Sequence, residues 1–307
     1  MAAFSFNKLV IFGVGLIGGS LARGLREHAG ATGEIIGVGR SAKSVERALE
    51  LGVIDSAVLL DDYNALKQAL HDADFVLIAA PVAQTEPLLR RIVPFLDART
   101  IVTDAGSTKS DAVTAARAAL GARASQFVPG HPIAGRESSG VDAALPDLYV
   151  DKNVVLCPLP ENAPASVERV AEMWRATGAS VHQMSAEQHD GVFASVSHLP
   201  HVLSFALVEQ ILEAPDAALK FSFAAGGFRD FTRIAASSPE MWRDVCIANR
   251  AALLTEIDAY TEVLARFRQA IDAADAAALE AAFERSRTAR SQWQQGGGLK
   301  AADDSAQ

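Results

Sequence analysis

A glycine-rich turn between an apolar run and a helical segment most constrains what this chain can fold into. Residues 9–12 are apolar and lead into Gly13-Val14-Gly15-Leu16-Ile17-Gly18. In this G-x-G-x-x-G pattern the first glycine permits a tight turn, the second lets a pyrophosphate approach the backbone, and the third lets helix and strand pack closely. The helix start also offers free N–H groups to phosphate. The order of strand, turn and helix predicts dinucleotide binding at Gly13, Gly15, Leu16, Ile17 and Gly18.

The first part of the chain alternates apolar runs with alanine-rich helical segments such as 44–51 and 110–120. Near-continuous apolar runs are typical of parallel strands that are covered on both faces. The predicted strands are residues 8–12, 34–39, 74–79, 100–104, 126–129 and 153–157. This alternation predicts an α/β fold, a Rossmann-like, doubly wound and mainly parallel sheet.

Beyond residue 185 the periodicity is helical only, over 186–213, 238–268 and 275–293. Ser237-Ser238-Pro239-Glu240 has the pattern of a helix start, with a hydroxyl cap, an early proline and an acid for a capping box. We therefore predict a dinucleotide-binding domain over 1–184, an all-α helical domain over 185–293 and a disordered tail over 294–307.

Composition excludes several classes of partner. The formal charge of -9 argues against nucleic acid and an anionic membrane surface. No uninterrupted apolar run reaches the roughly 18 residues that span a bilayer. The two cysteines, Cys157 and Cys246, lack C-x-x-C spacing and indicate a reducing compartment. We expect a cytoplasmic protein without nucleic-acid or membrane partners.

The segment after the second predicted strand bears on the choice of nicotinamide cofactor. In NAD-binding domains an acidic residue about 20 positions beyond the last glycine binds the ribose hydroxyls. Residues 36–43 contain no such acid and instead supply Arg40, Ser41 and Lys43. A guanidinium and a hydroxyl suit a 2′-phosphate. The sequence thus favours NADP over NAD, and the alternative is an Arg40 that stacks on the adenine or is only solvated.

Polar and charged residues concentrate in five further segments. They are D-A-G-S-T-K (104–109), H-P-I-A-G-R-E-S-S-G (131–140), H-D (189–190), S-H-L-P-H (197–201) and G-G-F-R-D-F-T-R-I-A (226–235), with M-W-R-D (241–244) shortly after. Together they resemble the prephenate/arogenate (cyclohexadienyl) dehydrogenases of tyrosine biosynthesis, over about residues 8–290. The resemblance implies a monofunctional oxidoreductase that is a homodimer through its helical domain.

The resemblance implies oxidative decarboxylation of prephenate or arogenate with hydride transfer to NAD(P). Oxidising the ring hydroxyl needs a proton acceptor, and His131 follows a predicted strand at the edge of the sheet where such folds bind ligands. A neutral imidazole accepts a proton near pH 7, which is also the family role of this histidine. Ser107 follows another strand and either orients the hydroxyl or nicotinamide or caps the next helix.

A polar stripe is predicted on the helix that begins near residue 186. Asp190, Ala194, Ser197 and His201 are spaced by four, three and four residues, so they share one face. Pro200 is expected to distort this helix. By resemblance Ser197 and His201 contact the substrate, and Asp190 joins an ionic network there.

Arginines supply the candidate anchors for a substrate carboxylate. Arg233 is the stronger candidate, because a guanidinium pairs bidentately with a carboxylate and because the family uses the arginine of D-F-T-R in this way. Arg229 is a second candidate, and Glu137 and Trp242 occupy family positions that close the site. No metal site is expected, since His189 and His198 are nine residues apart and would point to opposite sides of one helix.

Two other functions compete with this interpretation. A β-hydroxyacid dehydrogenase of the 6-phosphogluconate type has a similar domain arrangement but relies on a helix lysine, and the helices from 186 to 268 offer only Lys220. A non-catalytic NAD(P)-sensing module would have no need of His131, Ser197, His201 and Arg233 together. Prephenate against arogenate, and feedback inhibition by tyrosine, are left open.

Overall fold

The computed structural model describes residues 4–136 and 138–294. Its main sheet has six parallel strands in the order β3-β2-β1-β4-β5-β6. The strands are β1 (Lys8–Phe12), β2 (Glu34–Gly39), β3 (Ser56–Leu59), β4 (Phe75–Ile78), β5 (Ile101–Asp104) and β6 (Phe127–Val128). In the described residues up to 193 the α-helices are α1 (Leu16–Ala29), α2 (Ala42–Glu50), α3 (Tyr63–Leu70), α4 (Thr85–Ile92), α5 (Ser110–Leu120), α6 (Pro164–Arg175) and α7 (Ala186–Phe193). The Rossmann-like fold predicted from the sequence is confirmed.

Both faces of the main sheet are buried in apolar cores. Successive side chains of a strand point to opposite faces, so Leu9 and Ile11 of β1 enter one core while Val10 and Phe12 enter the other. The first core contains Trp174 of α6, and the second contains Leu66 of α3. Burial on both faces explains why the strands read as continuous apolar runs.

A second sheet corrects the strand prediction. Residues 153–157 were predicted as a strand of the parallel sheet, but β8 (Asn153–Leu156) lies between β7 (Gly130–Pro132), which is antiparallel to it, and β9 (Ser180–Gln183), which is parallel. The predictions missed β3, β7 and β9, because these short segments lack a clear apolar pattern. His131 therefore lies within β7, opposite Val155, rather than in a loop that follows a strand.

Helices account for the regular structure after residue 185 in the described part, as predicted. A π-helical turn (Ala194–His198) follows α7 and leads into α8 (Leu199–Leu212), with Pro200 in the first turn of α8. Because Pro200 has no N–H to donate, the predicted distortion occurs here. The later helices are α9 (Ala217–Ser222), α10 (Gly226–Thr232), α11 (Pro239–Ala248), α12 (Arg250–Asp272) and α13 (Ala276–Gln294). The Ser238 side chain caps α11 by accepting from the Met241 N–H, which places Glu240 one position too early for a capping box.

The chain divides into two compact units, one ending at Leu253 and one beginning at Leu254. The first unit contains both sheets and the helices through α11, and the second contains most of α12 together with α13. The predicted tail, apart from Gln294 at the end of α13, lies outside the described residues.

The stretch Ala186–Leu212 is long and apolar enough, by length and composition, to cross a membrane, with a mean hydropathy of 1.5. This stretch is not an uninterrupted apolar run, because polar residues such as Asp190 and Ser204 are interspersed along it, and it was therefore not predicted. Both of these side chains are buried in the protein. Since helices inside proteins and between subunits have the same composition, the stretch is weak evidence of a membrane span.

Candidate active site

A cavity of about 640 Å³ is lined by most of the predicted catalytic and substrate-binding residues. Six of them line it, namely Ser107, His131, Ser197, His201, Arg233 and Trp242. Apolar residues such as Ile133, Phe193 and Val196 complete much of the wall. A volume of this size and a few polar groups on an apolar lining are typical of a site for a small organic ligand.

A chain of hydrogen bonds leads from the cavity into the protein through His131. The Nδ1 atom of His131 lies 2.8 Å from Nε2 of His189, and Nδ1 of His189 lies 2.8 Å from Oδ1 of Asp190. His189 is fully buried and Asp190 nearly so. The two carboxylate oxygens of Asp190 also accept the backbone N–H groups of Lys109 and Ser110, each at 2.8 Å.

This geometry determines which nitrogen of His131 can act as a base. An ionised Asp190 only accepts hydrogen bonds, so Nδ1 of His189 must carry a proton. A neutral His189 then has its lone pair at Nε2, and it accepts the Nδ1–H of His131. The remaining lone pair of His131 is consequently at Nε2.

The charge states required by this arrangement agree with the surroundings. Burial, together with His189, Lys109 and His198, lowers the pKa of His131 well below 6.5. Burial also lowers the pKa of His189, against the opposing effect of Asp190. Burial alone would raise the pKa of Asp190, but its hydrogen bonds with His189, Ser110 and Lys109 bring that pKa to about 2. At neutral pH the hydrogen-bonded chain of His131, His189 and Asp190 therefore consists of two neutral imidazoles and one carboxylate.

A buried ion pair holds the strand ends that carry the site. Lys109 and Asp104 are fully buried, and the ammonium of Lys109 pairs with the Asp104 carboxylate. The same ammonium donates to the Gly130 carbonyl at 2.7 Å, and Asp104 accepts the N–H groups of Gly106 at 2.9 Å and Gly130 at 3.0 Å. The loop after β5, with Ser107, is thereby tied to the start of β7, with His131.

The π turn positions a second group of buried polar side chains. Asn249 donates from Nδ2 to the Asp190 carbonyl at 2.8 Å, and the same atom lies 3.0 Å from Nδ1 of His198. Burial lowers the pKa of His198 to about 4. His189 and His198, which were expected to point to opposite sides of one helix, are separated by this π turn rather than by regular α-helix. Both side chains are fully buried, and they contact different partners, His189 bonding with His131 and Asp190 and His198 with Asn249.

His201 and Trp242 form a stacked pair in the cavity wall. Their ring centroids are 3.5 Å apart and the rings are inclined by 20°. Nδ1 of His201 donates to the Ser197 carbonyl at 2.8 Å, which leaves the lone pair at Nε2. Burial lowers the pKa of His201, and nearby Arg233 lowers it further. His201 is accordingly a neutral acceptor beside a cationic group.

Two predicted substrate-binding residues of the described chain, Asp190 and Arg229, are not part of this cavity lining. Asp190 is buried behind His131, and its carboxylate is occupied by His189 and the start of α5. Arg229 lines a separate surface groove with Phe228 and Thr232, and Arg233 lines both this groove and the cavity. Glu137 lies outside the described residues.

The glycine turn has the geometry that a dinucleotide requires. Gly13 has a φ of +95° and donates its N–H to the Val38 carbonyl at 3.0 Å, and a side chain there would strike the backbone of Ala79. A side chain at Gly18 would collide with the Gly13 carbonyl oxygen. At Gly15 a Cβ would meet nothing within 4 Å, so space for a phosphate is open above this residue.

A cavity of about 210 Å³ continues from this turn, and Gly13, Gly15 and Arg40 line it. Ser41 precedes α2, and Lys43 is an exposed residue of its first turn. Leu16 and Ile17 begin α1, where their backbone N–H groups are those that a pyrophosphate would accept. The residues present thus fit a dinucleotide.

Asp104, Lys109 and His189 lie within the motifs of the sequence, but none of the three was predicted to act in the site. Their positions beside predicted strand ends and the polar stripe were a usable signal. An ionisable side chain that is buried there is costly unless it is paired, so each of the three needs a partner. Their partners lie far away in sequence, as in the contact between His131 and His189. No cluster of three His, Cys, Asp or Glu side chains that could hold a metal ion occurs in residues 4–136 and 138–294.

A glycine turn on a Rossmann-like sheet and a cavity with a neutral histidine define a dinucleotide-dependent dehydrogenase. Comparison with known proteins agrees. The chain matches the family profiles described as "Prephenate dehydrogenase, nucleotide-binding domain" over residues 21–183 and "Prephenate dehydrogenase, dimerization domain" over residues 185–285.

Individual relatives cover most of the chain. It is 37% identical to a prephenate dehydrogenase of Bacillus subtilis, over 88% of this chain and 71% of the relative. It is 33% identical to a cyclohexadienyl dehydrogenase of Zymomonas mobilis, over 93% and 95% respectively. The structure of Aquifex aeolicus prephenate dehydrogenase with hydroxyphenyl propionate and NAD+ superposes with a TM-score of 0.87 at 34% identity, covering 94% of this chain and 98% of that one. The chain belongs to the prephenate dehydrogenase family and is an NAD(P)-dependent oxidoreductase.

Proposed function

We propose that this enzyme catalyses the oxidative decarboxylation of prephenate to 4-hydroxyphenylpyruvate and CO2 in tyrosine biosynthesis. The observation that carries the proposal is the hydrogen-bonded chain that leaves Nε2 of His131 as a base in a cavity also lined by Ser107 and Arg233. Family membership supplies the substrate class.

His131 acts on the ring hydroxyl of the substrate. As hydride leaves the hydroxyl-bearing carbon, Nε2 of His131 takes the hydroxyl proton, and Ser107 orients the same hydroxyl. Loss of CO2 from the opposite ring carbon then makes the ring aromatic, and the proton returns to form the phenol. The overall reaction of dianionic prephenate with the oxidised cofactor releases no proton, so His131 needs no path to solvent. Its positive charge is transient and is stabilised by His189 and Asp190.

The other lining residues bind and orient the substrate. Arg233 pairs with a carboxylate, and Ser197 and His201 supply a hydroxyl and a neutral acceptor on the same wall. Trp242 holds the His201 ring by stacking. Asp190 acts indirectly, as a positioning residue for His189 and His131. Arg229 and Glu137 stay predicted substrate-binding residues.

The cofactor supplies the hydride acceptor when it is bound. Gly13, Gly15, Leu16, Ile17 and Gly18 would hold its pyrophosphate. We propose a preference for NADP, with Arg40, Ser41 and Lys43 at the 2′-phosphate, because no acidic residue follows β2 and Arg40 lines the adjoining cavity. A tenfold higher kcat/KM with NAD than with NADP would contradict this preference.

A homodimer formed by the helical region accounts for its exposed apolar surface. Phe223 is 80% exposed and Ile247 is 70% exposed, and further exposed apolar side chains include Leu212, Leu264, Ile271 and Phe283. Exposed apolar area on this scale marks an interface. Sedimentation equilibrium is expected to give the mass of a dimer, and a monomer at micromolar concentration would contradict it. We place the dimer in the cytoplasm.

The two alternatives are not favoured. A β-hydroxyacid dehydrogenase would need a lysine in the site, whereas no lysine lines the described part of the cavity and Lys220 pairs with Asp216 on the surface. A sensing module would not explain the alignment of His131, His189 and Asp190.

The test is steady-state turnover of prephenate and of L-arogenate, each with NADP and with NAD. Formation of reduced nicotinamide from prephenate is expected, and the variant His131→Asn should lose roughly 10²- to 10⁴-fold in kcat while it still binds cofactor. Turnover of L-arogenate alone would keep the mechanism but change the substrate. No turnover in any of the four pairings, with cofactor bound, would favour the sensing module.

A further inference from the structure

The π turn interrupts the helical stretch that carries two of the proposed substrate-binding residues. It spans Ala194–His198. Ser197, within the turn, and His201, four residues further along, line the cavity. Asp190, which precedes the turn, is buried outside the cavity lining. The turn therefore lies between the part of the stretch that faces the ligand volume and the part that packs into the protein.

The backbone of this turn has fewer hydrogen bonds available to it than a regular α-helix. In a π turn an N–H bonds five residues back, and here the Leu199 N–H bonds to the Ala194 carbonyl. Pro200 has no N–H, so the Val196 carbonyl lacks the donor that a regular α-helix supplies four residues later. The turn therefore depends more on side-chain hydrogen bonds than a regular helix does.

One buried amide bonds to both sides of the turn. Nδ2 of Asn249 lies 2.8 Å from the Asp190 carbonyl, before the turn, and 3.0 Å from Nδ1 of His198, its last residue. A carbonyl only accepts, so this nitrogen is the amide NH2, and its two hydrogens serve both acceptors. Asn249 is 4% exposed and His198 is fully buried, so solvent does not compete for either bond.

The helix that precedes Asn249 also supports the cavity wall. Asn249 follows α11 directly, and Trp242 lies on this helix. The Trp242 ring stacks on His201 at 3.5 Å, and its centroid lies 6.0 Å from that of His198. Asn249 itself does not line the cavity, so it acts on a ligand only through the residues that it holds.

We propose that Asn249 is a positioning residue that fixes the π turn and thereby directs Ser197 and His201 towards the substrate. This inference rests on the proposed function, because it concerns how the substrate-binding residues of that site are held. Asparagine also commonly caps a helix start, and Asn249 directly precedes α12. A cap uses the side-chain oxygen as an acceptor, whereas the positioning role uses Nδ2 as a donor, so experiment can separate the two.

The variant Asn249→Asp makes this separation, because aspartate keeps the size and the capping oxygen but does not donate when it is ionised. KM for prephenate is expected to rise roughly threefold to thirtyfold, because the hydrogen bonds of Ser197 and His201 with the substrate are misaligned. The change in kcat should be smaller, since His131 and Ser107 lie on other elements. KM for the cofactor should not change.

A double-mutant cycle with Ser197→Ala tests whether Asn249 acts through the turn. If it does, the fold-rise in KM caused by Asn249→Asp should be at least about twofold smaller in the Ser197→Ala background. Asn64→Asp is the matched control, because Asn64 is exposed in the first turn of α3 and the same substitution adds the same charge away from the cavity lining. Its kinetic constants should equal those of the wild type.

A second pair of variants covers an Asn249→Asp that does not fold. In His198→Gln the amide oxygen can accept from Nδ2 of Asn249, whereas His198→Leu offers no acceptor. KM for prephenate should therefore rise at least about threefold more in the Leu variant than in the Gln variant. Equal rises in the two variants would overturn the role of Asn249.

Two results with Asn249→Asp would also overturn it. One is a KM for prephenate within about twofold of the wild type, and the other is the same fold-rise in KM with and without Ser197→Ala. Both leave the wild type active on prephenate, so the proposed function would stand. A wild type that turns over neither prephenate nor L-arogenate would instead contradict the proposed function itself.

Discussion

Replacing His189 with phenylalanine isolates what the buried histidine contributes to the proposed base. His189 is fully buried, with its Nε2 atom 2.8 Å from Nδ1 of His131 and its Nδ1 atom 2.8 Å from Asp190. Phenylalanine has a similar ring but no nitrogen, so it removes both hydrogen bonds while it can still pack against Phe193, whose ring centroid lies 4.5 Å away. Asp190 keeps its two backbone donors at the start of α5.

The expected loss follows from the charge that His131 acquires during the reaction. When Nε2 takes the hydroxyl proton, the Nδ1–H of the imidazolium donates to His189. A hydrogen bond to a charged group contributes about 1.5–3 kcal/mol. Since about 1.36 kcal/mol corresponds to a tenfold change in rate, kcat should fall roughly 10- to 150-fold in His189→Phe.

The assay is steady-state turnover of prephenate at saturating substrate and cofactor near pH 7. His189→Gln is expected to recover part of kcat, because its amide oxygen can accept the Nδ1–H of His131. His182→Phe is the control, since His182 is exposed on β9 and its Nε2 atom lies 3.1 Å from Oδ1 of Asn153, outside the cavity lining. KM for the cofactor should be the same in all three variants.

A kcat for His189→Phe within about twofold of the wild type would refute the role of His189. The role would also be refuted if the Phe and Gln variants lost kcat equally and had equally lowered melting temperatures. That second pattern would indicate that His189 only fills space.

Three further predictions follow from the geometry of the site. The native pKa of Asp190 is about 2 against 3.8 in the unfolded chain, so Asp190→Asn should lose about 2 kcal/mol of unfolding free energy at pH 7, and this deficit should shrink as pH falls from about 4 towards 2. Urea denaturation measures it, with Asp216→Asn as an exposed control that should show a much smaller loss, because solvent screens its ion pair with Lys220. Because His131 must be neutral to accept a proton and its pKa lies well below 6.5, kcat/KM for prephenate should not decline on acidification until the pH is below 6.5; a decline between about pH 8 and 7 would contradict this. Gly15→Ala should raise KM for the cofactor without loss of stability, because a Cβ at Gly15 meets open space. Gly18→Ala should lose about 1–3 kcal/mol of unfolding free energy, because a Cβ there meets the backbone. Equal melting temperatures of the two variants would refute the distinction.

Local signals in the sequence were sufficient to predict the fold class and several of the helices and strands. The strand, glycine turn and helix over β1 and α1 were predicted at the right places, because apolar periodicity and glycine spacing act over neighbouring residues. The helix at 110–120 and the start of α11 at Ser238 followed from the same kind of signal. The chemistry of the candidate residues was also readable, since it depends on side-chain type.

Short elements with weak local signals were not predictable. Gly130-His131-Pro132 has no apolar alternation, and it forms β7 only because β8, more than 20 residues later, offers it a partner. β3 was missed for the same reason, since it depends on pairing with β2. The π turn at 194–198 was anticipated only as a distortion near Pro200, because its form depends on the buried side chains around it.

The sequence by itself determined the fold class, the glycine turn and the set of residues that could carry the chemistry. The tertiary structure alone decided which of them meet. His131 and His189 are 58 positions apart, and Lys109 and Asp190 are 81 apart, yet each pair is joined at 2.8 Å. Such contacts arise because burial forces polar groups to find partners wherever the chain brings them, and this is a property of the packed interior rather than of any local segment.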